Sequence, residues 1–416
     1  MVKKIYTLTA GLILTLIIPA MAQDNQLQDS TQLRLVNLEK VISNLRKIKI
    51  TGYLQAQFQV ADSAGARTFA GGNFAEGVDK RFMIRRGRIK FQYDSSPNTR
   101  EISTSQYVLQ LDVTERGVVI KDAYLRLTDK WIGWFSLTAG LYDRPFGFEI
   151  PFSSGARESP ERGRMSQIIF PNEREVGAMI TILPSNKFFL NGLKINGGIF
   201  NGTGAPGAGG NSSDFDKYKD FIGRVSYNSK TKTGMFTWGL GASYYDGGYR
   251  IDTVNVYRPT TDAFGVSAFM IETSKADVKT ELARRERSKR NYAGADIQLS
   301  FDWFPGITTI RAEYIQGEQA GTSSSTVSPA APVISDIYNR NFNGAYFYFI
   351  QNIVRTPLQA IVKYDWYDPN TDAEGDEIGR DVEADFRKTT SADVKFSTLG
   401  LGLAYNYDSH VRLTAY

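Results

Sequence analysis

Residues 48–60 constrain the fold of this chain more than any other stretch, because apolar and polar residues alternate along them. Even positions carry Ile, Gly, Leu, Ala, Phe and Val, whereas odd positions carry Lys, Thr, Tyr and Gln. A period of two predicts a β-strand with one apolar and one polar face. Similar segments of about ten residues, long enough for a tilted strand to cross a bilayer, recur to the end of the chain. The pattern predicts an all-β fold, an antiparallel transmembrane β-barrel.

The first 22 residues predict a secretory signal peptide. Lys3 and Lys4 precede an apolar stretch at 5–18, and Ala-Met-Ala at 20–22 is a small-x-small cleavage site. A transmembrane helix is the alternative, but it needs roughly 20 apolar residues, more than this stretch supplies. After cleavage, a closed barrel is the membrane-compatible structure that remains.

Residues 23–47 predict a periplasmic helical or coiled-coil segment. Leu35, Leu38, Ile42 and Leu45 follow a 3-4-3 spacing, with polar residues between them. So few turns are short for a coiled coil. A solvated helical linker and a short trimeric stalk therefore both remain open.

Residues 48–416 predict the barrel itself, with fifteen strands. They are predicted at 48–60, 82–93, 105–114, 119–127, 134–142, 175–183, 191–200, 218–228, 234–246, 291–301, 307–317, 343–353, 357–367, 397–407 and 411–416. Their connections alternate between long and short, as in outer-membrane barrels with long extracellular loops and short periplasmic turns. Bacterial barrels have even strand numbers, so we expect sixteen strands, the last one missing from this chain after Tyr416.

Residues on the apolar face of these strands are expected to face lipid. Six leucines are predicted to face lipid, namely Leu109, Leu111, Leu137, Leu240, Leu401 and Leu403. Aromatic residues cluster at the short connections, as at Trp131, Phe189 and Phe304, and such rings settle at the lipid headgroups. The combination predicts the outer membrane of a Gram-negative bacterium and contact with its lipid.

The composition argues against enzymes and cofactors. The chain has no Cys, which excludes disulfides, thiolate metal ligands and Cys nucleophiles. Its one His, His410, lies in a predicted tight turn, which gives Ser-His-Asp catalysis little support. The sequence has no zinc-protease or phosphate-loop motif. We predict no enzymatic activity, catalytic residue, metal site, cofactor or nucleic-acid partner.

Cations on the inward face of the strands are the most informative candidate site. The alternation in 82–93 places Arg86, Arg88 and Lys90 inward, a ladder about 13–14 Å long. Like charges along one strand face repel each other unless water, acids or passing anions offset them. The same alternation adds Arg126, Lys194, Arg224, Arg311 and Lys363 to the predicted anion pathway.

The balance of inward charge favours anions. With Lys49 and Arg412, the inward positions carry ten basic residues against five acidic ones, namely Asp112, Asp122, Asp296, Glu313 and Asp365. Rings and ladders of Arg and Lys in a pore favour anion passage. The alternative is a salt-bridged wall, in which acids neutralise half of these cations. Glu313 is the expected partner of Arg311.

The connection at 143–174 predicts a constriction loop. A connection of this length in a compact barrel is usually functional, and folding inward would narrow the pore. Its cations are Arg144, Arg157, Arg162 and Arg164, and its acids are Asp143, Glu149, Glu158 and Glu161. Because these charges balance, the loop is expected to set pore size more than charge preference.

Several motifs in order resemble the phosphate- and pyrophosphate-selective porins, porins O and P, of Gram-negative outer membranes. The motifs are FMIRRGRIKF at 82–91, YVLQLDV at 107–113, KDAYL at 121–125, TAGLYDRPFG at 138–147 and GIFNGTG at 198–204. The resemblance implies sixteen strands, a homotrimer, an inward third loop and an arginine-rich lumen that guides phosphate. It also implies lysines on inward loops. The 143–174 connection has none, and Lys275, Lys279 and Lys289 lie in the 247–290 connection.

The sequence therefore predicts a passive, anion-preferring outer-membrane porin, with phosphate, pyrophosphate or other small anions as its solutes. A general diffusion porin with little charge selectivity is the alternative. An outer-membrane enzyme or adhesin, with the barrel as scaffold, is the least supported reading.

Overall fold

The computed structural model describes residues 37–39, 41–42, 47–185, 188–204, 214, 216–250, 255–273, 287–329 and 335–416. The chain divides into two compact units, Met1–Arg46 and Lys47–Tyr416. The predicted signal peptide lies outside the described residues, and of the predicted helical segment residues 37–39 and 41–42 are helical. No helix in the described part of the chain is both long and apolar enough to cross a membrane.

The second unit is one sheet of eighteen strands. Their bounds are β1 Ile48–Val60, β2 Lys80–Asp94, β3 Ser105–Thr114, β4 Gly117–Thr128, β5 Phe135–Asp143, β6 Arg174–Ile182, β7 Leu193–Phe200, β8 Asp220–Lys230, β9 Phe236–Arg250, β10 Val256–Thr261, β11 Ser267–Thr273, β12 Arg287–Trp303, β13 Gly306–Gly321, β14 Ile337–Asn352, β15 Leu358–Asp368, β16 Arg387–Lys388, β17 Phe396–Asn406 and β18 Arg412–Ala415. A short helix, α1, spans Arg164–Ile169 between β5 and β6.

The predicted all-β, antiparallel fold class is confirmed. Strands β1 to β9 pair antiparallel in chain order, β9 pairs with β12, and the run continues through β13, β14, β15, β17 and β18. These fifteen strands follow the order of the predicted ones, with overlapping bounds. The expected sixteenth strand was predicted to follow Tyr416, outside the given sequence, and stays a prediction. Among the described residues, β1 pairs with β2 alone and β18 with β17 alone.

Three short strands lie outside this run, in connections where the sequence predicted none. β10 pairs antiparallel with β11 and parallel with the first residues of β14, and β11 pairs with β16. Pro259 lies within β10. A proline is tolerated there because a short strand need not use every backbone N–H in a ladder. Such brief pairings leave no periodic pattern to detect.

The polarity of the sheet is inverted relative to a soluble protein. Leu401 on β17 is 61% exposed, whereas Arg86 on β2 is 6% exposed. Of the six leucines assigned to lipid, five are exposed and Leu111 is half-buried. An apolar exterior around a charged interior suits a barrel in a bilayer, because lipid cannot satisfy polar groups.

The sheet curls around the connection between β5 and β6, residues 144–173, called the inward loop below. Ser154 of this loop hydrogen-bonds Tyr53 on β1 (2.5 Å), and the Arg157 carbonyl accepts from Arg412 on β18 (2.6 Å). Strands from both ends of the sheet contact one loop. The sheet must therefore surround it.

Aromatic packing anchors the start and end of the inward loop. Phe146 is fully buried and lies 5.1 Å, between ring centroids, from Phe170 at the other end of the loop. Both rings also pack edge-on against Tyr245 of β9 and Tyr292 of β12. Aromatic pairs in this geometry add stability beyond the area that they bury. The cluster therefore ties both ends of the loop to the same part of the wall.

Polar contacts hold the turn after Phe146. Glu313 of β13 accepts hydrogen bonds from the backbone N–H groups of Phe148 and Glu149, both at 3.0 Å. Gly147 has φ +61°, and a Cβ there would overlap the Glu313 carboxylate. The turn therefore needs glycine both for its backbone conformation and for this close approach.

Candidate functional site

One cavity in the interior, called the larger cavity below, has a volume of about 520 Å³ and a basic lining. Its charged lining residues are Arg88, Lys90, Arg126, Arg162, Arg174, Lys194 and Arg224, with Asp122 and Asp143. Lys90 and Arg126 lie near the ends of β2 and β4, and Lys194 lies at the start of β7. All three positions adjoin short connections. The larger cavity therefore lies toward the short-connection side of the barrel.

Three of these cations have no acidic partner. Among the described residues, no carboxylate lies within 4.0 Å of the charged nitrogens of Lys90, Arg126 or Lys194. Arg126 instead donates from Nε to Thr138 Oγ1 (3.2 Å) and lies over the ring of Tyr124, 5.6 Å from its centroid. These three cations carry the net positive field of the larger cavity.

The other four cations of the larger cavity form ion pairs. Arg224 makes a two-point contact with Asp296, at 2.5 and 2.9 Å. Arg174 pairs with Asp122 and Asp143, at 3.1 and 3.2 Å. Arg88 and Arg162 each pair with Glu173 of the inward loop.

A second, smaller cavity of about 190 Å³ is also lined in part by the inward loop. Its charged lining residues are Arg85, Arg86, Arg88, Lys121 and Arg162, with Asp112, Glu161 and Glu173. Arg85 and Arg86 lie in the first half of β2, which follows the long 61–79 connection. The two cavities share Arg88 and Arg162. An ion crossing from one cavity to the other would pass these two side chains.

Glu161 of the inward loop neutralises two cations of the smaller cavity. Its carboxylate accepts from Arg85 at 2.5 Å and from Arg86 at 2.7 Å. Burial raises the pKa of Glu161, but Arg86 and Arg85 lower it more, so the pKa lies below its usual value. The carboxylate remains charged at neutral pH and holds both cations.

Arg85 is a residue that the sequence pattern missed. A bulge between Gln55 and Ala56 in the pairing of β1 with β2 breaks the alternation at this point. Both Arg85 and Arg86 therefore reach the inward loop, although a strict period of two would turn one of them outward. The sequence signal that could have revealed Arg85 is the pair of adjacent arginines at 85 and 86, since only one of them fits a strict alternation.

The predicted partner of Arg311 is wrong. Arg311 pairs with Glu158 of the inward loop at 2.5 and 3.1 Å. Glu313 is used by the backbone of the same loop and by the Tyr346 hydroxyl, at 2.8 Å. The alternation along β13 identified both side chains as inward. The alternation could not show that both side chains would bind the inward loop and not each other.

The remaining predicted pathway and loop cations lie outside the two cavities. Lys363 contacts Glu149 and Asp365, both at 3.6 Å, and Arg144 pairs with Glu175 at 2.7 Å. The others donate to or stack on neighbours: Arg157 donates to the carbonyls of Ser159 and Pro160, and Arg164 lies 3.9 Å over the ring of Phe396. Together with Arg311, the residues Lys363, Arg144 and Arg164 hold the loop to the wall, whereas Arg157 stabilises the loop internally.

His410 lies in an arrangement that does not suit nucleophilic catalysis. Ser409 Oγ is 2.9 Å from Nδ1 of His410, and Asp408 approaches the same nitrogen at 3.9 Å. A catalytic triad needs the serine and the acid on opposite ring nitrogens. Among the described residues, no group of three His, Cys, Asp or Glu side chains is placed to hold a metal ion.

Comparison with known proteins gives structural neighbours alone. No family model and no curated protein matches the chain. Similar solved structures include the outer membrane channel DcaP of Acinetobacter baumannii, with a TM-score of 0.46, 11% identity and 88% of each chain covered. Others are an anion-selective porin from Comamonas acidovorans (0.45, 11%, 88% of this chain and 86% of that chain) and Salmonella typhi OmpF in complex with daunomycin (0.48, 12%, 88% of each). At these values the likeness concerns the fold and not the function.

The exterior of the sheet agrees with the predicted location in a Gram-negative outer membrane. Large apolar side chains cover it, and Trp131, Phe189 and Phe304 at the short connections are exposed. Membrane-spanning sheets of this type, with an aromatic girdle at one rim, are outer-membrane barrels.

Proposed function

We propose that this protein is a passive, anion-preferring porin. The observation that carries the proposal is the lining of the larger cavity, where seven cations face two acids. A unit charge about 7 Å away in water contributes about 0.6 kcal/mol, which is about a threefold change in local ion concentration. Because the three contributions add, Lys90, Arg126 and Lys194 together can raise the local anion concentration about twentyfold before screening by salt.

The test is to replace Lys90, Arg126 and Lys194 together with glutamine and to measure the reversal potential in a KCl gradient across a planar bilayer. We expect the chloride-to-potassium permeability ratio to fall by about tenfold at low salt. The change should shrink near 1 M salt, where the Debye length is only about 3 Å.

A matched control removes the same charges outside the cavities. Lys230, Lys232 and Arg355 are exposed at short connections, and their replacement with glutamine should leave the reversal potential nearly unchanged. A wild-type reversal potential near zero would instead favour the general diffusion porin. Equal shifts from both triple variants would show that the cavity cations have no special role.

Phosphate or pyrophosphate is the finer part of the proposal, supported by the motifs that resemble porins O and P. Phosphate added to both compartments should reduce the chloride current through the wild-type channel in a saturable way. If phosphate does not change the chloride current, the protein is an anion porin without a phosphate site.

The homotrimer implied by the same resemblance is also proposed. Chemical cross-linking of the protein in detergent, followed by denaturing electrophoresis, should give a ladder that ends at three subunits. A ladder that ends at one or two subunits would contradict the trimer.

A further inference from the structure

Glu173, the last residue of the inward loop, lies among four cations. Its carboxylate oxygens are 2.5 Å from Arg174, 3.1 Å from Arg162, 3.5 Å from Arg88 and 3.8 Å from Lys121. No other described carboxylate has as many cationic partners within 4.0 Å. Glu173 is therefore the principal counter-charge at the junction of the two cavities.

Two of the four cations depend on Glu173 alone. Arg174 also pairs with Asp122 and Asp143, and Arg88 also lies 3.6 Å from Asp112. For Arg162 and Lys121, no second carboxylate in the described part of the chain lies within 4.0 Å. If the Glu173 carboxylate moved away, these two cations would lose their only close acidic partner.

The junction also contains donors that Glu173 does not satisfy. Nε of Arg88 and Nε of Arg162 are buried, and neither has a hydrogen-bond partner. A buried N–H group without an acceptor is costly, so such groups favour any ligand that brings one. A carboxylate has two oxygens, whereas a tetrahedral oxyanion has four. The unpaired Nε groups of Arg88 and Arg162 can therefore be satisfied better by a tetrahedral oxyanion than by the Glu173 carboxylate.

The position of these groups makes them relevant to passage. Arg88 and Arg162 line both cavities, and Glu173 and Lys121 line the smaller one. An anion that moves between the cavities would therefore meet this cluster on its way. Glu173 would repel it there, and the cations would attract it.

We propose that Glu173 is a displaceable internal counter-anion. Its carboxylate occupies a binding site for a tetrahedral oxyanion, formed by Arg88, Lys121 and Arg162, and a permeating oxyanion must take its place. The proposal rests on the proposed anion-porin function and adds a residue that limits both occupancy of the site and flux. Displacement needs a side-chain rotation, with no covalent step.

The test is the variant Glu173→Gln, with inorganic phosphate as the probe. Chloride current through single channels is recorded while phosphate is titrated into both compartments. We expect the phosphate concentration that halves the current to fall by about tenfold, the change produced by about 1.4 kcal/mol. Glutamine is nearly the same size as glutamate but does not compete as an anion.

The matched control is Glu158→Gln. Glu158 is also an inward-loop carboxylate paired with a wall arginine, Arg311, but it lines neither cavity. Glutamine can still accept a hydrogen bond from Arg311, so this replacement removes the same charge and keeps the contact between loop and wall. The half-blocking phosphate concentration should then stay within about twofold of the wild type, a change of about 0.4 kcal/mol. An equal shift in both variants would overturn the proposal, since it would reflect loop charge in general.

Glu173→Asp covers the case in which the neutral variant fails to fold. It keeps the charge but draws the carboxylate back by one methylene, so the half-blocking concentration should fall by a smaller factor. Wild-type phosphate block in whichever of the two variants folds would overturn the role of Glu173. The reversal potential of the wild type separates this failure from that of the anion porin itself. If the wild-type channel prefers anions but phosphate blocks the Glu173 variants as it blocks the wild type, the role of Glu173 is rejected and the anion-porin proposal stands.

Discussion

Replacing Phe146 with alanine will release the inward loop and raise the single-channel conductance severalfold. Phe146 is fully buried between Phe170 and the wall tyrosines Tyr245 and Tyr292. Truncating a buried Phe costs about 3–5 kcal/mol, which is a hundredfold or greater change in the ratio of docked to undocked loop. An undocked loop would join the two cavities into one wider path.

The measurement is single-channel recording in planar bilayers, where a partly docked loop would also give noisy, multi-level openings. Phe264 is the matched control, since its ring is 80% exposed in a connection and the same substitution should leave conductance unchanged. Wild-type conductance in a folded Phe146→Ala channel would mean that the polar contacts of Glu313 hold the loop without the aromatic cluster.

Replacing Leu401 with arginine will destabilise the barrel by about 2–4 kcal/mol in a bilayer, the cost of a cation on the lipid face near the midplane. Leu401 is at the centre of β17 and is 61% exposed. In water such a surface substitution would cost little. The size of the effect therefore reports on the medium that surrounds the strand.

The free energy of unfolding in lipid vesicles, from reversible urea titration, measures this cost. Tyr407, 68% exposed just after the end of β17, provides a depth control, and Tyr407→Arg should cost about 0–1 kcal/mol. Equal costs at the two positions would contradict a lipid-facing centre and an interfacial rim.

The sequence by itself determined where the strands lie and which way most of their side chains face. The alternation in 48–60 corresponds to β1 with the same bounds, and Leu401 is exposed while Arg224 is buried, as predicted. These properties are local, since a strand reverses side-chain direction at every residue. The pattern failed where the strand departed from this geometry, as at the bulge that brings both Arg85 and Arg86 to Glu161.

Only the tertiary structure decided which cations are neutralised. Arg86 and Arg311 pair with Glu161 and Glu158 of the inward loop, residues distant from them in sequence. Lys90 has the same alternation and the same predicted role as Arg86, yet no described carboxylate lies within 4.0 Å of it. Periodicity assigns a face but carries no information on which distant segment covers it. The folding of one loop into the barrel therefore separates cations that fix the wall from cations that can act on passing anions.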